Sequence, residues 1–151
     1  MSPVANLTLR SATEADTAFI RELLERSGLP TSDLSTARPE FVIATHNEQI
    51  VGIGALERFG DAALFRSVAV EALWRGAGVG RLIVAEIERR AEAAGIDELI
   101  LLTLTARQFF ERLGYHEKER EQISPPVLDS SEFRSLCPIS AACMTKNLAP
   151  N

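Results

Sequence analysis

Residues 67–81 read Ser67-Val-Ala-Val-Glu-Ala-Leu-Trp-Arg-Gly-Ala-Gly-Val-Gly-Arg81, an apolar run rich in valine that breaks into a glycine-rich turn and opens into a helix. A helix start leaves its first N–H groups without intrahelical acceptors and carries the positive end of the dipole, so an anion is stabilised there. Gly76, Gly78 and Gly80 remove Cβ atoms that would hold a pyrophosphate off the backbone, and they allow dihedrals closed to other residues. Arg75 and Arg81 bracket the turn with positive charge. Two familiar phosphate loops do not fit. A Walker loop needs Lys-Ser or Lys-Thr after its last glycine, and none follows here. A dinucleotide fingerprint begun at Gly76 needs glycine where Arg81 stands, and its acid should end a strand, whereas Asp97 and Glu98 precede one.

Outward from the turn the chain alternates element types without an internal repeat. Upstream, Leu7 and Leu9 alternate with polar neighbours as a short strand. Thr13 reads as a helix cap with Asp16 in the first turn, ahead of Phe19, Ile20, Leu23 and Leu24 at helical spacing, and Gly28 and Pro30 stop that helix. The polar segment 31–39 is a loop. Strands at 40–45 and 49–56 flank a hairpin turn at His46-Asn47-Glu48, and Gly60-Asp61 separates them from a third at 63–70, giving an antiparallel meander. Downstream, 79–94 is an amphipathic helix with Leu82, Ile83, Ala85, Ile87 and Ala91 inward, stopped by Gly95. The apolar run 99–104 is a central strand covered on both faces. Thr105 is placed to cap a short helix at 106–113, followed by a strand at 115–121, an irregular proline-containing segment at 124–135 and a last strand at 139–147. The order is β-α-β-β-β-α-β-α-β-β.

With 151 residues the chain is long enough for one domain, 1–151, with a substantial core. Its net charge of −5 disfavours nucleic acid and anionic membranes, both of which need a basic face. No run approaches a membrane span, and residues 1–10 have neither a basic start nor a long apolar core, so a cytoplasmic location is expected. Cys137 and Cys143 have no partner cysteines or nearby histidines at zinc-ligand spacing, so no metal is expected.

The spacing Arg-x-x-Gly-x-Gly across Arg75, Gly78 and Gly80, after a Val-Ala-Val strand and within this element order, resembles the acetyl-CoA loop of the GNAT superfamily of N-acetyltransferases. Residues 103–115, Thr-Leu-Thr-Ala-Arg-Gln-Phe-Phe-Glu-Arg-Leu-Gly-Tyr, resemble a second GNAT pattern, with Thr103 where Asn is usual and Phe110 where Tyr is usual. The resemblance implies a mixed α+β fold: a mostly antiparallel sheet of about seven strands flanked by about four helices. It implies acetyl-CoA as co-substrate, held by Val68, Ala69, Val70, Arg75, Gly76, Ala77, Gly78, Val79, Gly80, Arg81, Thr103 and Phe110. The backbone at 68–70 would bond the pantetheine amides like an added strand, one N–H polarising the thioester carbonyl. In the family the Tyr hydroxyl often protonates the departing thiolate; phenylalanine has no proton to give. Tyr115 reads as a core aromatic.

Transfer of acetyl to an amine needs a base, and Glu57, late in its strand, is the candidate; the alternative is an exposed strand-end charge paired with Arg58. Arg66, with Ser67, is a candidate to hold a substrate carboxylate, the alternative being a solvent-facing strand residue. His46 and His116 read as solvated. The stretches 56–70, 101–106 and 133–144 resemble the GNAT branch named for arsenic-resistance operons, which implies a small amino-acid-like primary amine as acceptor. Arsenite chelation by Cys137 and Cys143 would need a fold-back, since six extended residues span roughly 20 Å; the other reading is buried, inert thiols. A catalytically silent GNAT that binds CoA as a sensor is the alternative to an enzyme. A homodimer is compatible with the family, through an edge strand near the C-terminus.

Overall fold

The computed structural model describes residues 6–29, 31–34, 38–130, 133 and 140–148. Pro30, Cys137 and the expected start of the last strand at 139 lie outside them. The strands are β1 (Leu7–Ser11), β2 (Glu40–His46), β3 (Gln49–Phe59), β4 (Ala62–Val70), β5 (Glu98–Thr103), β6 (His116–Glu117) and β7 (Ala142–Asn147). They form one seven-stranded sheet in the order β1-β2-β3-β4-β5-β7-β6. Every pairing is antiparallel except β4 with β5. Four α-helices are described: α1 (Thr17–Arg26), α2 (Val79–Ala93), α3 (Arg107–Arg112) and α4 (Pro125–Leu128). This is the mixed α+β architecture expected.

Local chemistry accounts for the element boundaries. The turn Glu14–Asp16 leads into α1, and Asp16 closes a capping box by accepting the Thr13 N–H at 2.8 Å. Arg10 of β1 grips the same carboxylate with both guanidinium nitrogens, at 2.8 and 2.9 Å. α1 ends where Gly28 turns left-handed (φ 72°) and the Leu29 N–H returns to the Leu24 carbonyl. α2 buries Val79, Ile83, Val84, Ile87 and Ala91, a three-and-four spacing. Val84 therefore takes the inward place expected for Ala85, which is exposed.

Three further expectations are corrected. The strand expected over 115–121 shrinks to two residues, because Glu117 to Gln122 is a charged run with no apolar alternation to bury. β7 is interior, between β5 and β6, so the edges are β1 and the two-residue β6 rather than the C-terminal strand. The start of α3 is tied by Thr103, whose hydroxyl accepts the Ala106 N–H at 2.9 Å, and not by Thr105.

One face of the sheet packs on α2 and α3 through Phe65, Ile83, Ile87, Leu99, Leu101, Phe110 and Met144. The other face carries two separate clusters. Ile20, Leu23, Leu24, Ile43, Ile53 and Ala69 form one under α1, and Ala62, Leu64, Ile100, Ile123, Val127 and Cys143 form one beside α4. Between them, in strand alternation, fall Glu57 of β3 and Arg66 of β4.

The pairing of β3 with β4 skips in register: Ala55 lies opposite Arg66 and Ile53 opposite Ala69, so Gly54 faces both Ser67 and Val68. Ser67 is the extra residue, buried and left-handed at φ 61°. It reverses the alternation, which puts Val68 and Val70 on the α2 face and leaves Arg66 and Ala69 on the other. Gly52 and Gly54 let α2 lie close: a Cβ on Gly54 would come within 2.6 Å of Ile83.

Candidate active site

The glycine turn and α2 take the strand–turn–helix form expected from the sequence. Gly76 (φ 80°) and Gly78 (φ 91°) are both left-handed, and Gly78 is the residue from which α2 departs. No side chain caps that helix start and its first turn holds no acid, so its N–H groups and dipole face outward unpaired by side chains. A Cβ on Gly76 would meet nothing within 4 Å, so the space above the turn is open. Gly80 has another reason: its Cβ would stand 3.3 Å from the Phe109 ring, so this glycine admits α3 to α2. Arg75 bends back to donate from Nε to the Val70 carbonyl at 3.3 Å, and Arg81 is exposed. Ala77 and Val79 belong to the backbone of this turn and helix start.

Beside the turn the two parallel strands part. β4 and β5 pair only from Ala62–Leu64 to Glu98–Ile100, after which β5 continues against β7 as far as Thr103. The rest of β4 is open on that side. The Glu71 N–H bonds the Val51 carbonyl, so by antiparallel alternation Ala69 directs its backbone to β3 and Val70 directs its own into the opening. An extended chain bearing amides and ending in phosphates fits this geometry, with amide groups on the Val68–Val70 backbone and anionic end at Gly76–Gly80.

Two residues that the resemblance puts at the cofactor are engaged elsewhere. The Thr103 hydroxyl holds the start of α3. Phe110 is buried, stacked edge-on against Phe65, Phe109 and Tyr115 at 6.0, 5.1 and 5.4 Å. Tyr115 is the core aromatic expected; its hydroxyl donates to Glu88 at 2.9 Å, and burial raises its pKa far above the ordinary value. Lys146 bonds the same Glu88 and the Leu113 carbonyl.

On the far side of the bulge sits a buried ionic cluster. Arg66, whose side chain is 0 % exposed, donates from Nη1 and Nη2 to the two oxygens of Asp33 at 2.6 and 2.8 Å, and from Nη1 to Glu57 Oε1 at 3.1 Å. Its Nε reaches the Ser67 hydroxyl at 3.3 Å. Neither alternative for these residues holds. Arg66 does not face solvent, and Arg58 pairs with Glu40 at 2.8 Å instead of with Glu57. Burial raises the pKa of Glu57 above its ordinary value; the Arg66 hydrogen bond and charge pull it down, and the Asp33 charge pushes it up again. A desolvated carboxylate with a raised pKa is a stronger proton acceptor than one in water. Asp33 went unrecognised in the sequence because a lone acid in a polar loop carries no spacing signal.

The remaining candidates are quiet. His46 stacks on Trp74 at 4.7 Å and is half-buried, not fully solvated, whereas His116 is exposed. Cys143 is buried, and burial pushes its thiol up to about 11. Among the described residues no cluster of His, Cys, Asp or Glu is arranged to hold a metal, and no helix is long and apolar enough to cross a membrane.

A sheet parted beside a glycine turn, with a buried carboxylate across the bulge, is an arrangement compatible with acyl-group transfer. The acetyltransferase (GNAT) domain family matches residues 37–117, and the chain belongs to that family of N-acetyltransferases. It is 29 % identical to an uncharacterized N-acetyltransferase of Chlorobaculum tepidum, over 93 % of this chain and 94 % of that one. It is 30 % identical to the amino-acid acetyltransferase of Mycobacterium tuberculosis, over 80 % and 75 %. It superposes on N-acetylglutamate synthase from Neisseria gonorrhoeae, solved with coenzyme A and N-acetyl-glutamate, with a TM-score of 0.82 at 21 % identity. That match covers 97 % of this chain but 36 % of the Neisseria chain, so the present chain spans about a third of it.

Proposed function

We propose that this N-acetyltransferase moves the acetyl group of acetyl-CoA to the primary amine of a small, amino-acid-like molecule, with Glu57 as the base. The observation that carries the reading is Glu57 itself: a buried carboxylate with a raised pKa, beside the bulge where β4 leaves β5. The cradle from Arg75 to Arg81 takes the pyrophosphate, and the open backbone at 68–70 takes the pantetheine amides, one N–H polarising the thioester carbonyl.

The proton and bond inventory then closes. Glu57 takes one proton from the substrate ammonium, directly or through one water; the freed nitrogen forms a bond to the carbonyl carbon, the carbon–sulfur bond breaks, and the second proton that the acylated nitrogen sheds passes to water. Phe110 supplies no proton to the sulfur. A thiol of pKa about 8.5 leaves tolerably as thiolate and is protonated by solvent. Asp33, Arg66 and ionised Glu57 sum to one negative charge, which favours a cationic amine over an anion. Arg66 is already bidentate to Asp33, so a substrate carboxylate would have to displace that acid; Arg66 acts as the holder of Glu57.

The amino-acid-like acceptor is supported by the name of the Mycobacterium relative and by the N-acetyl-glutamate bound to the Neisseria fold relative. Resemblance to the arsenic-resistance branch narrows it to amino-acid-like toxic amines. The test is release of CoA thiol from acetyl-CoA against amino acids, glutamate analogues, polyamines and peptides, with wild type and Glu57→Gln. Turnover with an amino-acid-like amine that falls about 10²- to 10⁴-fold in the variant, at unchanged CoA affinity, is expected. Full turnover by Glu57→Gln would sink the assignment of the base.

A further inference from the structure

Asp33, in the loop after α1, is 33 positions from Arg66 in sequence, yet their side chains meet in full bidentate geometry, both buried. Glu57 receives the longer, single bond from a nitrogen that Asp33 already shares. We propose that Asp33 is a positioning residue for the acetyl transfer: it takes the two-toothed face of Arg66, so that Glu57 is held in place by one bond and remains free to accept a proton. The inference rests on the reading of Glu57 as base.

The physical argument is one of competition for a single guanidinium. Two carboxylates bid for one fork, and the fork binds a carboxylate best through two parallel N–H bonds. Asp33 wins that geometry. Were its charge removed, the full positive charge of a dry guanidinium would fall on Glu57, and the fork would be free to bind it through both oxygens. Both changes stabilise ionised Glu57 and make it a poorer base. With Asp33 in place the cluster carries one net negative charge when Glu57 is ionised and none when Glu57 holds a proton, so proton uptake relieves a buried charge.

The charges that shift Glu57 are those of Arg66 and Asp33. The Arg58–Glu40 pair projects from the opposite strand phase. On the same face, Arg10–Asp16 beyond β2 and Lys118–Glu98 beyond Ala62 are each closed pairs. The Asp33 charge is itself among the causes that raise the Glu57 pKa. The Ser67 hydroxyl, fixed by the left-handed bulge, steadies Arg66 from the Nε side.

The test compares pH profiles of kcat/KM for wild type, Asp33→Asn, Asp33→Glu and Arg66→Gln, with CoA affinity measured for each. Asp33→Asn should move the acid limb down by about one pH unit and lower kcat several-fold, with Asp33→Glu restoring most of both. Arg66→Gln leaves two carboxylates face to face and should move the limb up. Opposite signs at the two positions are what a merely structural loop anchor would not produce. An unmoved limb in Asp33→Asn, or a change in KM alone, overturns the proposal. Where Asp33→Asn alone does not fold, the double variant Asp33→Asn/Arg66→Gln is compared with Arg66→Gln: it lacks the like charge of Asp33, so its limb should lie below that of Arg66→Gln, and equal limbs would overturn the role of Asp33. Failure of the underlying base reading shows separately, as undiminished turnover in Glu57→Gln.

Discussion

A buried carboxylate with a raised pKa is a poor contributor to the fold that holds it. The native-state pKa of Glu57 is raised, so the folded protein binds that proton more tightly than the unfolded chain does. The sign follows: the contribution of Glu57 to stability is most favourable below its unfolded pKa of about 4.3 and is lost as pH rises through the folded value. Glu57→Gln should therefore unfold at an equal or higher temperature than wild type at pH 7, with the advantage shrinking toward pH 4, while turnover is lost. Scanning calorimetry at the two pH values decides this, and a variant much less stable at pH 7 would show the carboxylate to be structural. Of this cluster Glu57 and Arg66 were singled out in the sequence, the first as a candidate base and the second as a candidate carboxylate holder. The alternative of a solvent-facing Arg66 stood open because nothing in Phe65-Arg66-Ser67-Val68 announces that Ser67 is an extra residue. Asp33 was invisible for a related reason: only the folded chain brings it to β4.

At the scale of elements, the sequence was most readable where backbone chemistry speaks through glycine. The glycine turn and α2 stand where Gly76, Gly78 and the apolar stripe put them, and Gly95 ends the helix left-handed at φ 79°. It was least readable where tertiary packing decides: β6 keeps two residues of an expected seven, and a helical turn, Pro125–Leu128, forms within the segment read as irregular. α2 also explains Gly80, whose missing Cβ leaves room for Phe109. The helix start itself can be tested by separating strain from charge. Gly78 is left-handed, so Gly78→Ala places a Cβ in a conformation that costs roughly 1–2 kcal/mol. Gly78→Glu adds to that strain a carboxylate at the positive end of the dipole, where a phosphate should sit. Isothermal titration with CoA should show a modest loss for Gly78→Ala and loss of measurable binding for Gly78→Glu, both variants remaining folded by circular dichroism. Equal affinities in the two would move the pyrophosphate away from α2.

For the whole molecule, the acids that hold elements together behave oppositely to the acid at the site. The Arg10 hydrogen bond holds Asp16 well below the usual carboxylate range, and Arg89 and Arg90 lower Glu86 to about 2. Asp16 joins the edge strand β1 to the start of α1 on one face; on the other, Arg90 links Glu86 of α2 to the Ser11 hydroxyl of β1. Both groups have depressed native pKa values, so their stabilisation is present above the unfolded pKa of about 4 and is lost as pH falls through the folded values. Acid thus loosens the outer seams of the sheet while the Glu57 term changes in the opposite direction, and the two opposing senses separate the scaffold from the site. Asp16→Asn keeps the shape of the cap but removes its charge, leaving Arg10 unpaired. It should cost about 1–2 kcal/mol at pH 7, as loss of a capping acid and a charged hydrogen bond does. Near pH 2 the gap should narrow, because the wild-type carboxylate is itself losing its charge advantage there. Urea unfolding at both pH values measures the difference; a cost independent of pH would assign it to packing at the β1–α1 corner and not to the carboxylate.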